Sequence, residues 1–335
     1  MQDSYCYNDL MTKKHIQPIH IAEYVAINGI EQFLYHSGTS AENPVLLYLH
    51  GGPGCSEALF AHLFQEKWEE LYTVIHWDQR GAGKTLTRNP KAYGETELLL
   101  QDLLEIIHYL KLRYSKEKIV LMGHSWGTVL GTLFLQRHPE EVAYYIGASQ
   151  VVSMVAGEKA AYEKLKTAVM QSGDKKALAG LQALGDYPGD KIEINKHFIR
   201  QCKRFRKLQA GQKLAVEMKL STWIAALRSP IFQLSDILAF QNAMGANRST
   251  YQFFAELDLL ELPADYQVPV YYLLGDNDWQ VPSVLAEEYH QKINAPEKKC
   301  YRIMDAGHML MIDQPERCYE ALADIHRREE QGSLY

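Results

Sequence analysis

The sequence predicts an α/β chain, with a mostly parallel central sheet flanked by helices and interrupted by a helical insertion. Three observations predict it. Short apolar runs alternate with helical patterns from Val45 to Ala148, and the alternation returns from Val268 to about Arg328. Between them, over 153–247, helical patterns follow one another with no convincing strand. The run Gly123-His124-Ser125-Trp126-Gly127 falls where one strand meets the next helix. Residues 1–152 and 248–335 are therefore read as one α/β core, and 153–247 as a helical cap inserted into it.

The elements follow in order. His20–Tyr35 holds two short runs around Asn28-Gly29, a strong hairpin signal. Val45–Leu49 reads as a strand, Glu57–Glu69 as a helix, Tyr72–Trp77 as a strand and Thr96–Tyr114 as a long amphipathic helix. Lys118–Met122 is an apolar run suited to a buried parallel strand. Thr128–Arg137 reads as a helix closed by His138-Pro139, followed by a strand at Val142–Ala148. After the insertion come a strand at Val268–Leu274, a helix at Ser283–Ile293, a strand at Cys300–Met304 and a closing helix from Pro315. In such sheets ligands bind beyond the carboxyl ends of the strands.

Composition narrows the function classes. The 335 residues carry a net charge of −6, with 47% hydrophobic and 23% charged residues, which argues against a nucleic-acid partner. No apolar run approaches the roughly 20 residues needed to span a bilayer, and the first residues lack an apolar leader core. Cys6, Cys55, Cys202, Cys300 and Cys318 are scattered without a CxxC pair, which fits free thiols and a cytoplasmic location. The insertion holds roughly twice as many Lys and Arg as Asp and Glu. Its densest part is Arg200 to Lys207, a solvated helix face or a rim that attracts anionic substrates.

The Gly-x-Ser-x-Gly run carries the chemistry. To stand above the sheet edge, Ser125 must sit on a turn with φ above zero. Side chains at 123 and 127 would strike neighbouring backbone, so both are Gly. The Trp126 amide, at the start of the following helix, points at the same space and suits a developing oxyanion. A serine needs a base and a group to orient it, and elbows of this kind take Asp or Glu and then His in chain order. Asp276 and Asp278 both follow the strand begun at Val268, and His308 follows the strand ending at Met304. The residues alone leave the two acids open. The loop His50-Gly51-Gly52-Pro53-Gly54 is the expected source of a second oxyanion donor. His50 is read as a brace for that loop, and His76, His124 and His138 as structural. This chemistry calls for no metal and no organic cofactor, and for a small-molecule or short-peptide substrate.

These motifs resemble the α/β-hydrolase superfamily, and within it the proline iminopeptidase-like serine peptidases. The resemblance rests on His50 to Gly54, on Asp78-Gln79-Arg80-Gly81-Ala82-Gly83, on Gly123 to Gly127, on Gly275 with Asp278, and on Gly307-His308. It implies an α/β-hydrolase fold, a triad of Ser125, Asp278 and His308, and oxyanion donors at the amides of Gly52 and Trp126. It also implies that Asp78 and Arg80 form a structural pair. The insertion departs from the family, whose cap acids hold a substrate's free amino group. The counterparts are Trp223-Ile224 and Gln241-Asn242, and Trp279 follows the catalytic Asp where some relatives carry Glu. Trp223, Gln241 and Trp279 are thus candidate substrate-binding positions suited to an uncharged group, with Glu217 or Asp236 as substitute acids.

Overall fold

The computed structural model describes residues 18–214 and 220–332, so Cys6 and Glu217 lie outside the described residues. The chain opens with the hairpin β1 (Ile19–Ile27) and β2 (Ile30–Gly38). Asn28 and Gly29 both take positive φ, 45° and 79°, as a two-residue turn between twisted strands requires. Then come β3 (Val45–Leu49), the short α1 (Trp68–Leu71), β4 (Thr73–Asp78), α2 (Gly83–Arg88) and α3 (Thr96–Tyr114). β5 (Ile119–His124), α4 (Trp126–Arg137) and β6 (Val142–Ala148) complete the first half. After the insertion the sheet resumes with β7 (Val270–Gly275), β8 (Lys298–Ile303) and their helices.

The eight strands form one sheet in the order β1-β2-β4-β3-β5-β6-β7-β8. β2 is antiparallel to β1 and β4, and every pair from β4 to β8 is parallel. The strand order reverses between β3 and β5, which pair in register at Leu49 and Gly123. Loops leaving these two carboxyl ends diverge to opposite sides and open a crevice between them.

Alternation of side chains builds a core on each face. Val45, Leu47 and Leu49 of β3 join Ile119 and Leu121 of β5 on one side, against α3 and α4. Leu46, Tyr48, Val120 and Met122 face the other side, toward Trp68 and the closing helix. Both faces being covered explains why these strands read as unbroken apolar runs.

The helical stretch between β6 and β7 consists of α5 (Met154–Ser172), α6 (Lys175–Gln182), α7 (Lys196–Gly211), α8 (Leu220–Ala226), α9 (Ser235–Ala246) and α10 (Arg248–Glu256). Leu165, Leu181, Tyr187, Phe198 and Phe205 form a separate small core within it, while Phe254 of α10 packs into the main core. After β7 follow α11 (Ser283–Lys292), α12 (Leu310–Asp313) and α13 (Pro315–Gly332).

Two local expectations change. The single helix expected over Glu57–Glu69 is a 3-10 run at Ala58–Leu63 followed by the one-turn α1. Glu57 is turned inward, where its carboxylate binds the loop before it, so it does not open a solvent-facing helix. Asp78 and Arg80 do not pair with each other. Arg80 forks onto Asp102 at 2.8 and 2.9 Å, whereas Asp78 accepts from the Lys84 amide at 2.7 Å and from the Ser56 hydroxyl. β4 ends at Asp78, so Arg80 lies in the loop beyond the strand and finds different neighbours.

Candidate active site

Ser125 sits between β5 and α4 at φ 51° and ψ −119°, outside the usual regions for a side-chain-bearing residue. The glycines make that turn possible. A Cβ at 123 would lie 2.4 Å from the Gly127 carbonyl oxygen, and one at 127 would lie 2.0 Å from the Leu49 oxygen. Trp126 is the first residue of α4, so its amide belongs to the group that a helix leaves without an internal acceptor. Its indole is held away from the cavity, donating to Gln79 Oε1 at 3.1 Å and resting on Phe254. Across the crevice, Gly52 takes φ 111° and lines the same cavity as Ser125.

The expected partners converge on the serine. His308 Nε2 lies 3.0 Å from Ser125 Oγ, and His308 Nδ1 lies 3.0 Å from Asp278 Oδ2. Asp278 Oδ1 accepts the amides of Gln280 at 3.0 Å and Val281 at 2.8 Å, so the carboxylate is fixed before the histidine meets it. Burial alone would raise this carboxyl. The facing His308, its hydrogen bond and the Val281 amide instead hold it below its ordinary value. Asp278 therefore stays ionised and accepts the hydrogen bond from Nδ1–H, which leaves Nε2 to accept from the serine hydroxyl. Asp276 is exposed, and its Oδ1 accepts the Ala306 amide at 3.3 Å in the loop leading to His308.

A second buried pair lies behind the first. His124 Nδ1 meets Glu57 Oε1 at 2.8 Å, and His124 Nε2 meets the His308 carbonyl oxygen at 2.9 Å. Both partners only accept, so both ring nitrogens donate and His124 is an imidazolium. Burial opposes that charge, but the Glu57 carboxylate raises the imidazole above its usual value. Burial likewise works against Glu57, yet His124, the Tyr48 hydroxyl and the Gly51 amide bring it down to about 2. Glu57 Oε1 also accepts the Gly51 amide at 3.0 Å. One carboxylate thus ties the His50–Gly54 loop to the residue before Ser125, and through it to the backbone of His308. Ser149, just past β6, adds a hydroxyl bond to the same His308 oxygen at 3.1 Å. His50 braces its own loop, its Nδ1 donating to the Gly51 oxygen at 2.8 Å while its Nε2 accepts the Gln79 amide.

The cavity above Ser125 has a volume of about 170 Å³, bounded by Gly52, Val151, Met154, Tyr251 and Val281 among others. It contains Glu158, a buried carboxylate that the sequence did not single out. Glu158 is bonded to the Arg206 guanidinium and accepts from the Tyr187 hydroxyl at 2.6 Å. Its only sequence signal is an acid on the otherwise apolar and small face of α5 shared with Met154 and Ala161.

Trp223 and Gln241 are not part of this cavity. They line a separate one of about 190 Å³ with Phe60, Phe232 and Phe240, and share no wall residue with the cavity over Ser125. Trp279 packs against the small core of the helical stretch, with Lys164 over its ring and its carbonyl accepting from Gln209. Asp236 is engaged as well: its two oxygens meet Lys84 Nζ at 2.7 and 2.6 Å, and both side chains are buried.

Residues 44–315 match the family described as alpha/beta hydrolase fold. The chain belongs to the alpha/beta hydrolase family. This hydrolase is 27% identical over 300 residues to a probable aminopeptidase, YbaC, of Bacillus subtilis, covering 89% of the chain and 93% of that protein. It is 24% identical over 299 residues to a proline iminopeptidase of Lactobacillus helveticus, covering 88% and 93%. Among solved structures, a proline iminopeptidase-related protein of Thermus thermophilus aligns over 91% of this hydrolase and 96% of its own chain, with a TM-score of 0.63 at 21% identity. An esterase of Thermogutta terrifontis aligns over 93% and 99%, with a TM-score of 0.55 at 19% identity. At such identities the structural likeness speaks for the fold. Among the described residues, no helix is long and apolar enough to cross a membrane.

Proposed function

We propose that this hydrolase cleaves the ester or amide bond of a small substrate through an acyl-enzyme on Ser125. The observation that carries the reading is the chain Ser125 Oγ–His308–Asp278, with both contacts at 3.0 Å, at the crevice where the strand order reverses. His308 takes the serine proton as Oγ attacks the carbonyl carbon. It then returns that proton to the leaving amine or alkoxide, and Asp278 stabilises the imidazolium between the two steps. Water attacks the acyl-enzyme with His308 again as base, which frees the acid and restores the hydroxyl. The amides of Gly52 and Trp126 hold the oxyanion, each contributing about 3 kcal/mol of barrier reduction.

Aminopeptidase action on short peptides is the second reading. The printed names of the relatives favour it, and one observation bears on it directly. The cap positions where a free amino group would be held carry Trp223 and Gln241, in a different cavity, and Asp236 is neutralised by Lys84. Glu158 does face the catalytic cavity, but with Arg206 and Tyr187 already on its oxygens a substrate ammonium would compete with a guanidinium. This supports a pocket without strict demand for an N-terminal proline.

The test is direct. The protein should label with a fluorophosphonate and hydrolyse short p-nitrophenyl esters, and Ser125→Ala should lose both. Comparing proline and alanine p-nitroanilides with those esters ranks the two readings. Turnover of proline p-nitroanilide far above the esters would reverse their order.

A further inference from the structure

The basic run in the insertion has a place in the fold that the triad does not explain. On α7, Ile199, Cys202, Lys203, Arg206 and Lys207 share one face, at spacings of three and four residues. That face borders a groove of about 430 Å³ whose other walls include Met154, Ile194, Phe198, Met244 and Tyr251. The groove adjoins the catalytic cavity, since Met154, Arg206 and Tyr251 line both. No acid lines it. Arg206 is anchored at the junction by Glu158 and by Gln209 Oε1 at 2.8 Å. Lys203 and Lys207 are exposed, and among the described residues neither has an ion-pair partner.

An apolar trough rimmed by cations of one sign complements a molecule that is apolar along its length and anionic at its end. The trough shares Met154, Arg206 and Tyr251 with the wall of the cavity over Ser125, which makes an extension of the substrate its natural occupant. We propose that the groove receives the portion of a short peptide lying beyond the scissile bond, with an apolar side chain in the trough and the free C-terminal carboxylate at Lys203 and Lys207. The proposal rests on the assignment of Ser125 as nucleophile and on the peptide reading of the substrate, and adds how the far end of that peptide is recognised. Arg206, held by Glu158, is a wall residue of both spaces.

Three substrates separate this inference from the reading beneath it: tripeptides of the alanyl-leucyl-alanine type with a free C-terminal carboxylate, the same peptides as C-terminal amides, and p-nitrophenyl acetate. The wild type should cleave the free acids with kcat/KM about 10-fold above the amides. In Lys203→Glu/Lys207→Glu, two exposed positions outside the catalytic cavity, that preference should vanish or invert, mostly through KM. Hydrolysis of p-nitrophenyl acetate should not change. Equal kcat/KM for acids and amides in the wild type would overturn the proposal, as would an acid preference that survives the double charge reversal. Ester turnover without turnover of either peptide would overturn it too, leaving the serine mechanism standing. Absence of ester turnover in the wild type would instead strike the mechanism itself.

Discussion

At the scale of single residues, the site contains two buried His–carboxylate pairs with different work. In Asp278–His308 the imidazole lies 3.0 Å from Ser125 Oγ, so in the proposed mechanism the carboxylate's task is to fix a tautomer. Asp278→Asn keeps the size but no longer favours a proton on Nδ1, and kcat should fall by about 10³- to 10⁴-fold with little change in KM. Steady-state kinetics on a p-nitrophenyl ester read this, and a loss below 10-fold would remove Asp278 from the mechanism. In Glu57–His124 both ring nitrogens donate, so that pair is a charged strut between the Gly51 amide and the His308 backbone. Glu57→Gln keeps an acceptor for Gly51 but removes the counter-ion. We expect kcat about 10- to 100-fold lower, as small misplacements of catalytic groups cost.

The strut also sets a pH dependence. Glu57 goes from an ordinary value of 4.5 to about 2 on folding, so its stabilisation is fully present above 4.5 and is lost as pH falls toward 2. His124 has the opposite sign: its raised value makes its share complete below 6.5 and lost as pH rises through the folded value. Thermal unfolding of wild type and Glu57→Gln should therefore differ most between pH 4.5 and 6.5. The gap should narrow on both sides of that window. A gap constant from pH 3 to 9 would mean the pair is not ionised in the folded protein.

At the scale of elements, α9 is held to the core by a buried ion pair rather than by a large apolar face. Lys84 of α2 reaches Asp236 of α9, while Leu234, Ile237, Leu238 and Phe240 around it are largely exposed. Removing one partner strands the other charge, so Asp236→Ala should destabilise by about 3–5 kcal/mol. The double change Lys84→Met/Asp236→Leu should regain most of that loss in urea unfolding, with the KM for amine-bearing substrates unchanged. A rise in KM confined to such substrates would return Asp236 to the list of amine-binding acids. The sequence could not reveal this pairing, because the two residues are far apart in the chain and only the docking of α9 joins them. What it did carry was whatever local periodicity encodes. The runs Val45–Leu49 and Val142–Ala148 and the pattern Thr96–Tyr114 became elements with those bounds, and the alternation of strands and helices predicted the sheet. Ser125 and His308 were legible because each follows a strand at one sheet edge, whereas position alone left Asp278 level with Asp276 and only the family resemblance separated them. Glu57, Ser149 and Glu158 were not, because a lone acid or hydroxyl in a helical or loop pattern looks the same whether it faces water or a buried partner.

At the scale of the whole molecule, charge is unevenly divided. The net charge is −6, yet the helical stretch over the crevice is rich in Lys and Arg, and Lys203, Arg206 and Lys207 border the groove beside the cavity over Ser125. A field of this kind raises the local concentration of anions at the entrance and acts on encounter more than on chemistry. Exposed charges are screened over about 10 Å in 0.1 M salt and about 3 Å in 1 M. The Glu57–His124 strut is buried, and Ser125, His308 and Asp278 meet at direct hydrogen-bond distance, so screening by salt acts little on either. Raising NaCl from about 0.02 to about 0.5 M should therefore lower kcat/KM for peptides with a free C-terminal carboxylate several-fold. The values for their amides and for p-nitrophenyl acetate should stay level, with kcat for every substrate unchanged at saturation. A parallel fall for charged and neutral substrates would place the effect of salt on the fold or the catalytic centre, and would deny the cationic helical stretch a part in selecting the substrate.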